Sequence, residues 1–112
     1  MKIQTKQTGS DGMRIDLQGD VDFHSSPELR TELSKLADNQ IKNIVVDLKK
    51  VNYIDSSGLA TFVELFQKMK RSGGKLVLFN LSKGVRSVFE IAKLDTIFSL
   101  AESEQEALSQ IS

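Results

Sequence analysis

The 112-residue sequence predicts a single α/β domain over 1–112. The expected architecture is a mixed sheet of four to five strands with about four helices, ordered β-β-α-β-α-β-α-(β)-α. Three observations lead there. Met13, Ile15 and Leu17 alternate with Arg14, Asp16 and Gln18, the period of a strand with one wet face. Residues 44–48 (Ile-Val-Val-Asp-Leu) and 76–79 (Leu-Val-Leu-Phe) are short, mostly apolar runs suited to central strands. Between and after them, apolar residues recur at the spacing of one helix face.

Residues 2–7 form a weaker first strand, and Gly9-Ser10-Asp11-Gly12 is the turn that joins it to the second as a hairpin. The first helix opens at Ser25 and Ser26, with Pro27 in its first turn and Glu28 three residues after Ser25, a capping-box pattern. Leu29, Leu33, Leu36 and Ala37 form its apolar stripe. A second helix starts near Ser57, carries Leu59, Phe62, Val63, Phe66 and Met69 inward, and stops before Gly73-Gly74. The third follows Ser82 with Val85, Val88, Phe89 and Ala92 on one side. A short strand is expected near Ile97 and Phe98. Ser103 with Glu106 then opens a last helix through Ile111. Strands separated by helices should run parallel with right-handed crossovers. The helices should pack mainly on one face, because the first two strands have only one apolar side.

Composition narrows the function. Fifteen basic residues balance fifteen acidic ones, so no general field attracts nucleic acid or an anionic membrane. The chain has no cysteine, which excludes disulfides and thiolate metal sites. No apolar run approaches the ~20 residues of a membrane span, and the N-terminus lacks a signal-peptide pattern. A soluble, cytoplasmic chain is expected, and a monomer when free, since no sustained heptad is present. No cofactor is expected. Gly73-Gly74 fits neither phosphate-binding glycine pattern and reads as a helix stop.

The most informative segment is Val51-Asn52-Tyr53-Ile54-Asp55-Ser56-Ser57-Gly58-Leu59, between a central strand and a helix start. Taken alone, Asp55-Ser56-Ser57-Gly58 is a capping sequence, since all three polar side chains accept hydrogen bonds from unpaired helix N–H groups. Asp22 alone reads as a solvated turn carboxylate. Asp22, His24 and Ser57 invite a catalytic triad, but the loop lacks the flanking glycines of a nucleophile elbow. A carboxylate two residues from its histidine is also badly placed to orient the ring. No enzyme is expected.

Residues 44–48, Val51 and 53–59 together closely resemble the signature of STAS domains, the bacterial anti-sigma factor antagonist family. Gly19-Asp20-Val21-Asp22 resembles the family's Gly-x-Leu-Asp element. The stretches 73–78 and 85–90 resemble its fourth strand and following helix. Val21 stands for the commoner leucine and Ala60 for a frequent glycine, the latter suiting a helix interior. The resemblance implies Ser57 as phosphoacceptor, with Asp22 beside it and a partner-facing surface of Asp22, Asp55, Ser56 and Gly58. It implies an anti-sigma factor with serine kinase activity as partner and a metal-dependent serine phosphatase to reset the switch. A STAS scaffold in a signalling or transport complex, with no phosphoswitch, is the alternative.

Overall fold

The computed structural model describes residues 1–39 and 41–111; Gln40 and Ser112 lie outside the described residues. β1 (Lys2–Thr8) and β2 (Gly12–Gln18) form the expected hairpin, in register from Lys2 opposite Gln18 to Thr8 opposite Gly12. Gly9, at φ 68°, supplies the left-handed backbone the turn needs. There follow α1 (Ser26–Asp38), β3 (Asn43–Lys50), α2 (Ser56–Arg71), β4 (Lys75–Phe79), α3 (Lys83–Ile91), β5 (Ser99–Ala101) and α4 (Glu104–Ile111). The strands lie in sequence order, and every pair after the antiparallel hairpin is parallel.

The short last strand expected near Ile97 and Phe98 forms just after them. Ile97 and Phe98 both donate their N–H to the Leu94 carbonyl and so close a turn, and pairing begins at Ser99. Phe98 is used sideways as a core plug, edge-on to Phe89 at 5.5 Å and against Phe66 at 5.3 Å.

One face of the sheet carries the main core. Ile15, Leu17, Ile44, Val46, Leu48, Leu76 and Leu78 meet Leu29 and Leu33 of α1, Phe62, Leu65 and Met69 of α2, and Val85 and Phe89 of α3. Each such side chain stabilises the fold by about 1.5–3 kcal/mol on burial. Leu65 and Thr61 are buried in α2 although the expected stripe omitted them, whereas Leu59, Val63 and Phe66 are half-buried. The opposite face is smaller: Val45, Val77, Phe79 and Ala101 of the sheet are covered by Ala107 of α4.

α4 covers only part of that face and is pinned at its first residue. Arg14, on the wet side of β2, pairs with Asp16, Asp47 and Glu104, and its guanidinium lies 5.4 Å from the Phe79 ring centre. The cap of α4 forms as its sequence suggests: the Ser103 hydroxyl accepts from the Glu106 N–H at 3.2 Å. The Ser82 hydroxyl caps α3 in the same way, through Val85 N–H. Ser25 does not cap α1. Its hydroxyl accepts from Asp22 N–H at 3.0 Å and donates to the Asp20 carbonyl at 2.7 Å, so it serves the preceding loop instead.

Candidate functional site

Because β2 and β3 run parallel, the segments leaving them emerge at the same end of the sheet. They continue side by side. Gly19 N–H donates to the Lys50 carbonyl, Val21 N–H to the Tyr53 carbonyl, and Asp55 N–H to the Val21 carbonyl, at 3.1, 2.9 and 3.1 Å. Gly19 has φ 115°, which a side chain would rarely tolerate, and it turns the chain into this path. The Val21–Ile54 bridge turns both of those side chains into the core. Asp22, Phe23, Tyr53 and Asp55 are thereby left on the surface side of the two segments.

Asp55 is the N-cap of α2. Its Oδ1 accepts from Ser57 N–H at 2.9 Å and Gly58 N–H at 3.1 Å, satisfying two donors that the first turn leaves unpaired. Its Oδ2 accepts from Phe23 N–H at 3.1 Å. One carboxylate therefore fastens the helix start to the loop after β2. Of the three side chains able to cap this helix, the Asp55 carboxylate is the one that does so.

The serines are left for other work. Ser56 is the first helical residue and is exposed; Ser57 is half-buried. The Ser57 carbonyl accepts from the Thr61 hydroxyl at 3.0 Å, while neither serine hydroxyl makes a hydrogen bond among the described residues.

Gly58 is required by close approach. A Cβ there would lie 2.6 Å from Val21 Cγ1 and from the Val21 carbonyl oxygen, and 2.9 Å from Ile54 Cγ1. The helix start can sit against the 20–23 segment only because this residue has no side chain.

Asp22 closes the turn into α1. Its Oδ1 accepts from His24 N–H at 3.0 Å and Ser25 N–H at 3.1 Å. The Ser25 N–H, above all, holds its carboxyl below the ordinary aspartate range; the His24 N–H, the Ser25 hydroxyl and the His24 charge add to this, against some desolvation. Asp22 thus has a structural partner set as well as a surface position.

His24 is exposed and meets Phe23 edge-on at 5.8 Å. Among the described residues no hydrogen bond links its ring to Asp22, Ser56 or Ser57, so the triad geometry is not formed. No group of three or more metal-ligating residues occurs among the described residues, and no helix is long and apolar enough to cross a membrane. Two surface aromatics were missed from the sequence: Phe23 is 72 % exposed and Tyr53 53 % exposed. The signal available was an aromatic residue in each of two polar loops.

The family model for the STAS domain matches residues 2–107. The chain belongs to the STAS domain family. A Bacillus subtilis protein named anti-sigma-B factor antagonist is 34 % identical over 105 residues, covering 94 % of each chain. A solved anti-sigma factor antagonist from Mycobacterium paratuberculosis superposes with TM-score 0.86 at 20 % identity, over 98 % of this STAS chain and 94 % of that one. The Bacillus cell fate determinant SpoIIAA in its phosphorylated form gives TM-score 0.77 at 22 % identity, over 99 % and 100 %. These two structural likenesses carry the STAS fold.

Proposed function

We propose that this chain is an anti-sigma factor antagonist, released from a kinase-type anti-sigma factor when a serine in the first turn of α2 is phosphorylated. The observation that carries the reading is the division of labour at that turn. Asp55 makes the cap, so both serine hydroxyls are free to accept a phosphoryl group without unmaking the helix start. The name of the Bacillus subtilis relative supports the reading, as does the solution of SpoIIAA in both unphosphorylated and phosphorylated forms.

In the transfer, a serine oxygen attacks the γ-phosphorus of ATP, its proton passes to a base on the partner, and ADP leaves. This chain supplies the hydroxyl and its position. The partner supplies nucleotide, Mg²⁺ and base. The product carries about 1.5–2 negative charges. The dipole of α2 tolerates them within the domain. In an interface they must be desolvated beside Asp55 and Asp22, and binding weakens. The partner-facing surface is then Asp22, Asp55, Ser56 and the acceptor; Gly58, expected there from the resemblance, is buried against Val21 and Ile54 and serves by letting the helix start close in. A metal-dependent serine phosphatase resets the switch, and the exchange takes place in the cytoplasm.

The resemblance implies Ser57 as the acceptor. A second reading, with Ser56 as acceptor, is supported by exposure: the Ser56 side of the turn faces solvent, while Ser57 is half-buried. Incubation with the cognate kinase-type anti-sigma factor and ATP, followed by mass spectrometry of wild type, Ser56→Ala and Ser57→Ala, separates the two. The variant that no longer gains phosphate names the acceptor. Uptake by neither wild type nor variants sinks the phosphoswitch.

A further inference from the structure

Resting on that functional reading, we infer that Phe23 is the aromatic anchor by which this chain is recognised, entering an apolar, basic-rimmed pocket on the kinase-type anti-sigma factor. The ring is 72 % exposed, so the fold makes little use of it. Its backbone, in contrast, is fixed. Phe23 N–H is held by Asp55, the preceding Val21 is bridged to Ile54, and the following His24 and Ser25 N–H groups are held by Asp22. A large apolar side chain presented on a pinned backbone loses little conformational freedom on binding, which is what an anchor needs.

Its place decides what covers it. Transfer to Ser56 or Ser57 brings the partner's nucleotide site against the first turn of α2. The carboxylate that holds Ser57 N–H at 2.9 Å also holds Phe23 N–H at 3.1 Å. A partner that reaches the hydroxyl therefore also reaches the segment that carries the exposed Phe23 ring. Tyr53, 53 % exposed, extends the apolar surface from the parallel segment. Asp22 precedes Phe23 in the chain and Asp55 accepts from its N–H, so the complementary pocket is apolar within and cationic at its rim. The other exposed large apolar residues, Ile91 and Ile97, belong to the opposite end of the sheet, where α3 finishes and β5 begins. They serve as internal controls.

The test is calorimetric titration of the cognate anti-sigma factor kinase with wild type, Phe23→Ala, Phe23→Tyr, Ile91→Ala and Ser57→Asp. Thermal melting of each variant is measured alongside. Phe23→Ala should keep the wild-type melting point and bind about tenfold or more weakly. Phe23→Tyr should recover most of the affinity, and Ile91→Ala should bind as wild type. If Phe23→Ala binds within twofold of wild type while Ser57→Asp is released, the anchor is wrong and the functional reading stands. An equal loss with Ile91→Ala would also overturn the anchor. If wild type neither binds nor gains phosphate, the functional reading fails and the anchor with it.

Discussion

The carboxylate of Asp55 and the backbone N–H of Phe23, 32 residues apart in the chain, are joined at 3.1 Å, while the other oxygen of the same carboxylate caps α2. The start of the helix and the loop after β2 therefore cannot move independently. Any change that repels the Asp55 carboxylate, including a phosphate on the adjacent turn, acts on both.

Asp55→Asn and Asp55→Ser should separate these two duties. In Asp55→Asn the amide oxygen can still cap Ser57 and Gly58, but the NH₂ group faces Phe23 N–H, and two donors cannot pair. Serine caps about as well as aspartate yet has one oxygen to give. Both variants should keep most of the helix stability, within about 0.5 kcal/mol for the cap itself. Both should lose the slow hydrogen exchange of the Phe23 amide, measured by NMR. Asp55→Ala should lose both, costing about 1 kcal/mol in chemical denaturation. A Phe23 amide equally protected in all three variants would contradict the two-oxygen arrangement.

Gly58→Ala should destabilise although alanine is the better helix former. The propensity gain is about 1 kcal/mol. Against it stands a Cβ at 2.6 Å from both Val21 Cγ1 and the Val21 carbonyl, which is backbone and cannot simply rotate away. Overpacking of this kind costs typically about 1–3 kcal/mol, so a net loss of up to about 2 kcal/mol is expected. Gly84, in the first turn of α3, has nothing within 4 Å of its would-be Cβ, and Gly84→Ala should gain about 0.5 kcal/mol. Urea midpoints of the two variants should move in opposite directions.

Most of the fold is legible in the sequence because each element has a simple period and a marked end. Met13, Ile15 and Leu17 could only face one core, and Ser82 and Ser103 cap as their positions suggest. What could not be read depends on where distant segments meet. Ser25 has every mark of a cap, yet the path of residues 20–22 captures its hydroxyl. The apolar residues of α4 fit either face of the sheet, and Arg14 with Glu104 ties it to the second. Phe23 resembles any core aromatic until the Val21–Ile54 bridge fixes which side of the loop is wet. The serine pair was legible as a helix start; that Asp55 would free both hydroxyls was not.

The acid limb of stability should report on Asp22. Its folded-state pKa lies below the unfolded value of ~3.9, so its contribution is fully present above that pH. That contribution is lost as pH falls through the folded-state pKa, when protonation weakens its acceptance from the Ser25 and His24 N–H groups. Asp22→Asn removes this dependence. The difference in urea midpoint between wild type and variant should be constant from neutral pH down to the unfolded pKa and shrink below it. A difference that grew on acidification would reverse the sign and refute the assignment.

Substitution at Ser57 should separate binding from stability. Its hydroxyl makes no hydrogen bond among the described residues, and the cap belongs to Asp55, so Ser57→Ala should cost less than about 0.5 kcal/mol. In Ser57→Asp the new carboxylate sits favourably in the helix dipole, a gain of about 0.3–1 kcal/mol, but faces the carboxylate of Asp55, and the two effects should nearly cancel. In the complex no such cancellation is available. The added charge must shed water in an interface already bearing Asp22 and Asp55, and affinity for the kinase partner should fall at least tenfold, or ~1.4 kcal/mol. Denaturation of each variant beside calorimetric titration checks both halves. Should Ser57→Asp bind as wild type, the same titration with enzymatically phosphorylated protein decides between a poor phosphate mimic and a wrong mechanism. Phosphorylated protein that still binds at wild-type affinity would end the charge-driven switch at this turn.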